Sequence, residues 1–338
     1  MALQRADSCD LYTDYNDIYR RYPSSYLASA VSIYPTSGRF GGACWSANNA
    51  NCYIEDVVSG APTTYHWSGA VQQRIAYSLV RSFIELRNAT GSIAAVKIIS
   101  GGYIQAYRGT TALGSASASP VITASWTFLE IKVVIHASTG SVLVYADGNE
   151  VLNETGLNTE GFSGGVSRIR MWPGDGQGAV YFDDTFHFDT TGSGVNDFTG
   201  DRRIDYLPPN GDGTVQLTKS GGSTNWELVD ETAGADDDST YVYSSTIGHK
   251  DILDLQTLAA TAVTVDAVQA VCVANKSDAG AGGLKIGVKS GTTEGLSGAK
   301  GLSTDYKFFE HILELNPDDA AAWADGDMAG LQVVYEVT

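Results

Sequence analysis

The side chains able to do chemistry are few in this chain, and their spacing limits what they can do. The five histidines stand at 66, 136, 187, 249 and 311, with no pair at a metal-binding helical spacing, so zinc is not expected. Gly161, Ser163 and Gly165 match the Gly-x-Ser-x-Gly letters of a nucleophile elbow. That elbow needs a following helix, whereas Val166 to Trp172 reads as a strand. A glycanase needs two carboxylates across a groove, yet Glu130 has Phe128 and Lys132 as same-face neighbours, and Asp147 and Glu150 belong to a hairpin tip. No catalytic residue is therefore nominated. Binding residues are easier to find. Trp67, Trp126 and Trp172, with Trp45 and Tyr65, could supply an aromatic platform for a sugar, although aromatic residues also build cores and subunit contacts.

Calcium is the one ion the composition leaves open. Asp147-Gly148-Asn149-Glu150, Asn210-Gly211-Asp212-Gly213 and Asp236-Asp237-Asp238 offer oxygen ligands, but none has the spaced acids of an EF-hand. Asp-Gly and Asn-Gly are equally ordinary turn residues. Four cysteines are too few for a disulfide scaffold. A hairpin with its tip near Asn48 would set Cys44 opposite Cys52, and a disulfide there and two free thiols are both open readings. Cys272 reads as a small core residue.

The elements that must position these groups are strands. The chain has 338 residues with 38 Gly and 18 Tyr, and its candidate strands are bounded by small polar clusters, the pattern of an all-β protein long enough for two domains. Candidate strands run over 94–100, 103–108, 126–136, 141–146, 166–172 and 179–189. In the third, Leu129, Ile131, Val133 and Ile135 share one face, and Asp147-Gly148 closes the following hairpin. Residues 74–87 read as strand in preference to helix, and 10–22 could hold a helical turn. In 179–189, strict alternation puts Asp184 on the face of Phe182, Phe186 and Phe188, where it should accept loop N–H groups. The small-residue run 191–203 reads as a linker between a unit over 1–190 and one over 204–338. In the latter, strands are expected over 214–219, 226–230, 240–245, 263–274, 284–290, 306–315 and 331–338. The strand 263–274 should be central, and a short helix should start at Asn316-Pro317.

A formal net charge of −18 without any basic stripe argues against a nucleic-acid surface. No apolar run reaches the length of a membrane span, so no membrane partner is expected. The opening Met1-Ala2-Leu3-Gln4-Arg5 does not read as a secretory signal, which leads to the expectation of synthesis and assembly in a cytoplasm.

One resemblance covers nearly the whole chain. Its motifs are Gly38-Arg39-Phe40-Gly41-Gly42, Trp126-Thr127-Phe128-Leu129-Glu130, Val144-Tyr145-Ala146-Asp147-Gly148 and Tyr181-Phe182-Asp183-Asp184. They continue with Asn196-Asp197-Phe198-Thr199-Gly200-Asp201, Leu207-Pro208-Pro209-Asn210-Gly211-Asp212-Gly213, Asn225-Trp226, Asp238-Ser239-Thr240-Tyr241-Val242 and Ala322-Trp323. In this order they resemble the two-domain virion structural proteins of tailed bacteriophages and prophages. The resemblance implies a concanavalin A-like (laminin G-like) jelly-roll sandwich followed by a second β-sandwich. It implies a non-enzymatic tail-fibre, tail-tip or head-decoration protein located in the virion and contacting other virion proteins; exposed strand edges, which repeated copies can protect by pairing, add the expectation of a homo-oligomer. The alternative carried beside it is an adhesin that binds host-surface glycans through the first sandwich. No cofactor is expected, with calcium left open.

Overall fold

The computed structural model describes residues 3–26, 31–47, 52–74, 80–172, 180–232, 234–258 and 264–338. The chain is all-β, a jelly-roll sandwich followed by a second β-sandwich. Two compact units divide it: Met1–Gly192 with Asn196–Ile204, and Ser193–Val195 with Asp205–Thr338. Among the described residues no helix is long and apolar enough to cross a membrane.

In the first unit the elements are β1 (Leu3–Asp7), α1 (Tyr15–Arg21), β2 (Val31–Tyr34), β3 (Cys44–Ala47), β4 (Ile54–Val57), β5 (Thr64–Gln73), β6 (Arg81–Arg87) and β7 (Ser92–Ile99). They continue as β8 (Tyr103–Arg108), β9 (Thr111–Ala116), β10 (Thr127–Val134), β11 (Gly140–Ala146), β12 (Asn149–Leu157), β13 (Arg168–Met171) and β14 (Val180–Asp189). The first sheet runs β12-β11-β10-β5-β14-β3-β2, with β1 also on β14. The second runs β4-β13-β6-β7-β8-β9. Helix α1 lies within 10–22, the stretch that could hold a helical turn, and is capped by Asp14. The β11–β12 hairpin turns on Asp147 (φ 48°) and Gly148 (φ 76°), the left-handed pair a two-residue turn demands.

The core lies between the two sheets. Leu129, Ile131 and Val133 of β10 are buried, as their alternation predicts. Opposite them come Ile84 and Leu86 of β6. An aromatic cluster anchors one end: Phe182 stacks on Trp45 at 4.8 Å and on Phe83 at 5.4 Å, and Trp67 meets both Phe83 and Phe182 edge-on. Each such ring contributes about 1.5–3 kcal/mol on burial.

Strand β14 departs from strict alternation. The register slips between Asp183 and Phe186, and Asp184 takes φ 49°. The extra residue reverses the faces. Phe182 points between the sheets. Phe186 and Phe188 instead stack on each other outside the first sheet, beside Phe128 and His66. Phe182, Phe186 and Phe188 thus do not share a face, and Asp184 leaves the phenylalanine row to accept the Ile204 N–H at 2.8 Å.

That bond belongs to a strap. Asn196–Ile204, part of the stretch expected as a linker, is held on the first unit. Glu130 Oε1 accepts from Thr199 N at 2.7 Å and Gly200 N at 3.0 Å, and Lys132 pairs with Asp197 at 2.9 Å. Phe198 covers His66 and Tyr145.

The expected Cys44–Cys52 hairpin does not form. Cys44 lies in β3, opposite Tyr34 of β2, while Cys52 leads into β4 of the other sheet. No disulfide joins them, and both thiols are buried, as is that of Cys9. The proposed tip at Asn48 lies outside the described residues, as do 75–79 of the 74–87 strand.

The second unit holds β15 (Pro209–Thr214), β16 (Thr218–Lys219), β17 (Val242–Tyr243), β18 (Lys250–Leu255), β19 (Val268–Ala274), β20 (Gly283–Ser290), β21 (Thr293–Leu296), β22 (Lys300–Gly301), β23 (Lys307–Leu313) and β24 (Gln332–Val337). Its main sheet runs β15-β18-β24-β20-β21, with β22 on β20, and the ribbon β19–β23 is a separate sheet. Ala270, Leu284, Ile286, Val288, Trp323, Met328 and Leu331 form its core. Here β19 pairs with β23 alone among the described residues and is mostly half-buried, so it is not the central strand expected. Strand β18, which the sequence reading missed, is central. Asn316-Pro317 opens a turn closed by the Leu315–Ala322 bridge instead of a helix, and residues 226–228 form a 3-10 turn instead of a strand. Asn316 Oδ1 accepts from Asp318 N, which satisfies the cap without a helix to follow.

Candidate functional site

The outer side of the second sheet carries a cluster of polar and aromatic side chains facing away from the core. Because Ile84, Leu86, Ala94 and Val96 point inward, their neighbours Glu85, Arg87 and Lys97 point outward. Strand β13 alternates likewise, burying Ile169 and Met171 and turning Arg168, Arg170 and then Trp172 outward. Strand pairing aligns Glu55, Arg170, Glu85, Ala95 and Tyr107 in one row across β4, β13, β6, β7 and β8.

The two acids in this row brace the cations. Glu55 is 2% exposed and takes Arg168 Nη1 on Oε1 at 3.0 Å and Arg170 Nε on Oε2. Glu85 takes Arg87 Nη1 on Oε1 at 3.0 Å and Trp172 Nε1 on Oε2 at 3.3 Å. The Arg170 guanidinium lies 3.9 Å over the Tyr53 ring and 5.8 Å from Trp172. Tyr53 and Trp172 are 4.7 Å apart, and the exposed Tyr26 extends the row at 6.2 Å from Tyr53. Lys97 sits 4.5 Å over Tyr107. Burial pulls the Lys97 amine below its ordinary value, with Glu85 opposing. The result is a row of aromatic faces beside hydrogen-bond donors, braced by two buried acids.

The tryptophans nominated from sequence are not one platform. Trp67 is 1% exposed, wedged between the sheets, because β5 turns its odd-numbered residues Tyr65 and Trp67 inward. It is core and drops out as a binding residue, as does Trp45 at 1% exposed. Trp126 is half-buried on the outer side of the first sheet, stacked on Tyr181 at 6.4 Å. Trp172 alone stands in the row described above. Arg168 and Arg170 were missed, although period-two alternation from Trp172 would have put them on its face. Glu55 and Glu85 had no such signal, since cross-strand register brings them there.

Other candidates resolve as structural. No helix follows Ser163; β13 does. Among the described residues no group of three or more His, Cys, Asp or Glu is placed to hold a metal. The acids of the turn clusters are bonded within the protein: Asp147 to Phe128 N, Asp212 to Asn225 N and Trp226 N, and Asp238 to the Tyr306 hydroxyl. Between the sheets, His187 Nδ1 meets the Tyr65 hydroxyl at 2.6 Å and Nε2 meets Asp56 at 2.9 Å, with Arg5 on the same carboxylate. Burial works to raise the Asp56 carboxyl, but Arg5 and His187 hold it down at about 2. Tyr65 is wholly enclosed, so this chain of bonds is a cross-sheet brace.

No family model and no curated protein matches this chain. Several solved structures align with it at low identity. An endo-β-1,4-glucuronan lyase from the fungus Trichoderma reesei aligns over 56% of this chain and 96% of its own, at 10% identity and TM-score 0.41. Domain 4 of AbnA, a GH43 extracellular arabinanase from Geobacillus stearothermophilus, solved with arabinotriose, aligns over 56% and 92%, at 14% identity and TM-score 0.39. The botulinum neurotoxin type G receptor binding domain aligns over 91% and 80%, at 12% identity and TM-score 0.37.

Proposed function

We propose that the first unit is a carbohydrate-binding module whose site is the outer face of the second sheet, centred on Arg170, Tyr53 and Trp172. One observation carries this reading: Arg170 is stacked on an aromatic row and fixed by a buried carboxylate, on the side of the sheet away from the core. Pyranose rings present apolar C–H faces that stack on aromatic rings, while their hydroxyls need fixed donors and acceptors alongside. The exposed Tyr26 extends the aromatic row at its margin.

The module binds without cleaving. Both oxygens of Glu55 and of Glu85 already accept hydrogen bonds, which leaves neither acid placed to protonate a leaving group. In the virion setting that the sequence resemblance implies, such a face serves host attachment, the chain acting as an adhesin. The test is a glycan array with the full chain. Specific binding is expected, abolished by Trp172→Ala and retained by Trp126→Ala, which alters the other sheet. Binding lost equally in both variants, or no binding at all, overturns the assignment. Reducing ends released from a bound polysaccharide would overturn the non-catalytic part.

A further inference from the structure

The hydrogen-bond inventory of this same face says what kind of sugar it takes. Glu55 and Glu85 are buried, and each of their carboxylate oxygens already accepts a donor from its own sheet. The guanidinium groups are not saturated by acceptors. Arg170 uses only Nε, so Nη1 and Nη2 have no hydrogen-bond partner among the described residues. Arg168 and Arg87 each spend a single Nη1 on a carboxylate, and the Arg168 side chain is 45% exposed. The face is left with more unused guanidinium donors than exposed acceptors, since its two acids are buried and engaged.

Charge follows the same direction. Arg87, Lys97, Arg168 and Arg170 stand against Glu55 and Glu85, so this row is cationic within a chain of formal net charge −18. At physiological ionic strength charges beyond about 8 Å are screened, so a ligand on this face meets the local cations more than the distant acids. Guanidinium forks match planar carboxylates with two parallel bonds, a fit a neutral hydroxyl does not reproduce.

We infer that the ligand is an acidic glycan, a sugar whose carboxylate sits among Arg87, Arg168 and Arg170 while its ring stacks on Tyr53 and Trp172. This rests on the carbohydrate-binding reading above and adds the chemical class. Uronic acids and sialic acids both supply the carboxylate. Sulfated sugars would offer an anion of different geometry.

The test is calorimetric titration of the full chain with uronate oligosaccharides of gluco, galacto and manno configuration, with sialyllactose, with carboxyl-reduced counterparts, and with a sulfated galactan oligosaccharide. At least one carboxylated ligand is expected to bind ten-fold or more tighter than its reduced counterpart, and to weaken as salt rises. Arg168→Gln should weaken that ligand about ten-fold and its carboxyl-reduced counterpart much less, measured at a temperature where circular dichroism shows the variant folded, since Arg168 also pairs with the buried Glu55. Reduced and carboxylated ligands binding equally, with Arg168→Gln without effect, overturns the acidic class and leaves carbohydrate binding standing. Preference for the sulfated ligand over every carboxylate also overturns it. Absence of binding to all of them overturns both readings together.

Discussion

Replacing Glu130 by alanine should release the strap formed by Asn196–Ile204 from the first unit. Glu130 is 2% exposed and lies on the outer side of β10, where one carboxylate oxygen accepts the N–H groups of Thr199 and Gly200 at 2.7 and 3.0 Å. Charge-assisted bonds of this kind contribute about 1.5–3 kcal/mol each. Their full loss is softened because a detached strap rehydrates, but detachment also uncovers the Phe198 contacts with His66 and Tyr145. A net loss of about 2–4 kcal/mol in strap docking follows. Glu130→Gln keeps an acceptor without the charge and should cost about half as much. Amide hydrogen exchange reads this directly: Thr199 and Gly200 should exchange roughly 30- to 1,000-fold faster in the alanine variant. Amides of β10 paired to β5 and β11 should change far less. If Thr199 and Gly200 exchange at the native rate in both variants, Glu130 does not hold the strap and the reasoning fails.

Other outcomes follow from buried titratable groups. Asp183 and Asp184 both have carboxyls raised above their ordinary range, first by burial and, for Asp183, next by its neighbour's charge. The folded state therefore holds protons that the unfolded state releases, and stability declines as pH rises from about 4 through neutrality. Asp184→Asn should raise the urea midpoint at pH 8 and leave it unchanged near pH 4, since asparagine also tolerates φ 49°; equal effects at both pH values would contradict this. His66 has the opposite sign. Burial, then Lys132, lowers it from 6.5 to about 4, and neither ring nitrogen finds a hydrogen bond among the described residues. The stability present above pH 6.5 is lost as pH falls towards 4, by about 2–3 kcal/mol, because the unfolded chain takes the proton first. His66→Phe, stacked likewise on Phe188, should flatten the thermal-melting profile across that window, and an unchanged slope would refute it. Burial pushes the Cys44 thiol up to about 12, so a disulfide reagent at pH 8 should label it only after unfolding; rapid labelling of the native chain would show Cys44 to be accessible.

Local pattern alone determined the all-β class, the inward row Leu129, Ile131 and Val133, and the Asp147-Gly148 hairpin, because alternation and turn chemistry are written in neighbouring residues. It also picked out Trp172, without its setting. Only the tertiary structure decided that Trp67 is core, that Cys44 and Cys52 belong to different sheets, and that Glu130 clasps a strap instead of lining a groove. The slip at Asp184 shows why. One added residue reverses every face beyond it, and nothing in the alternation of Phe182, Phe186 and Phe188 announces the slip. The Arg170 row has the same origin. Glu55 and Glu85 are far from Arg170 in sequence, and they meet because antiparallel register, a long-range property of the sheet, sets them side by side.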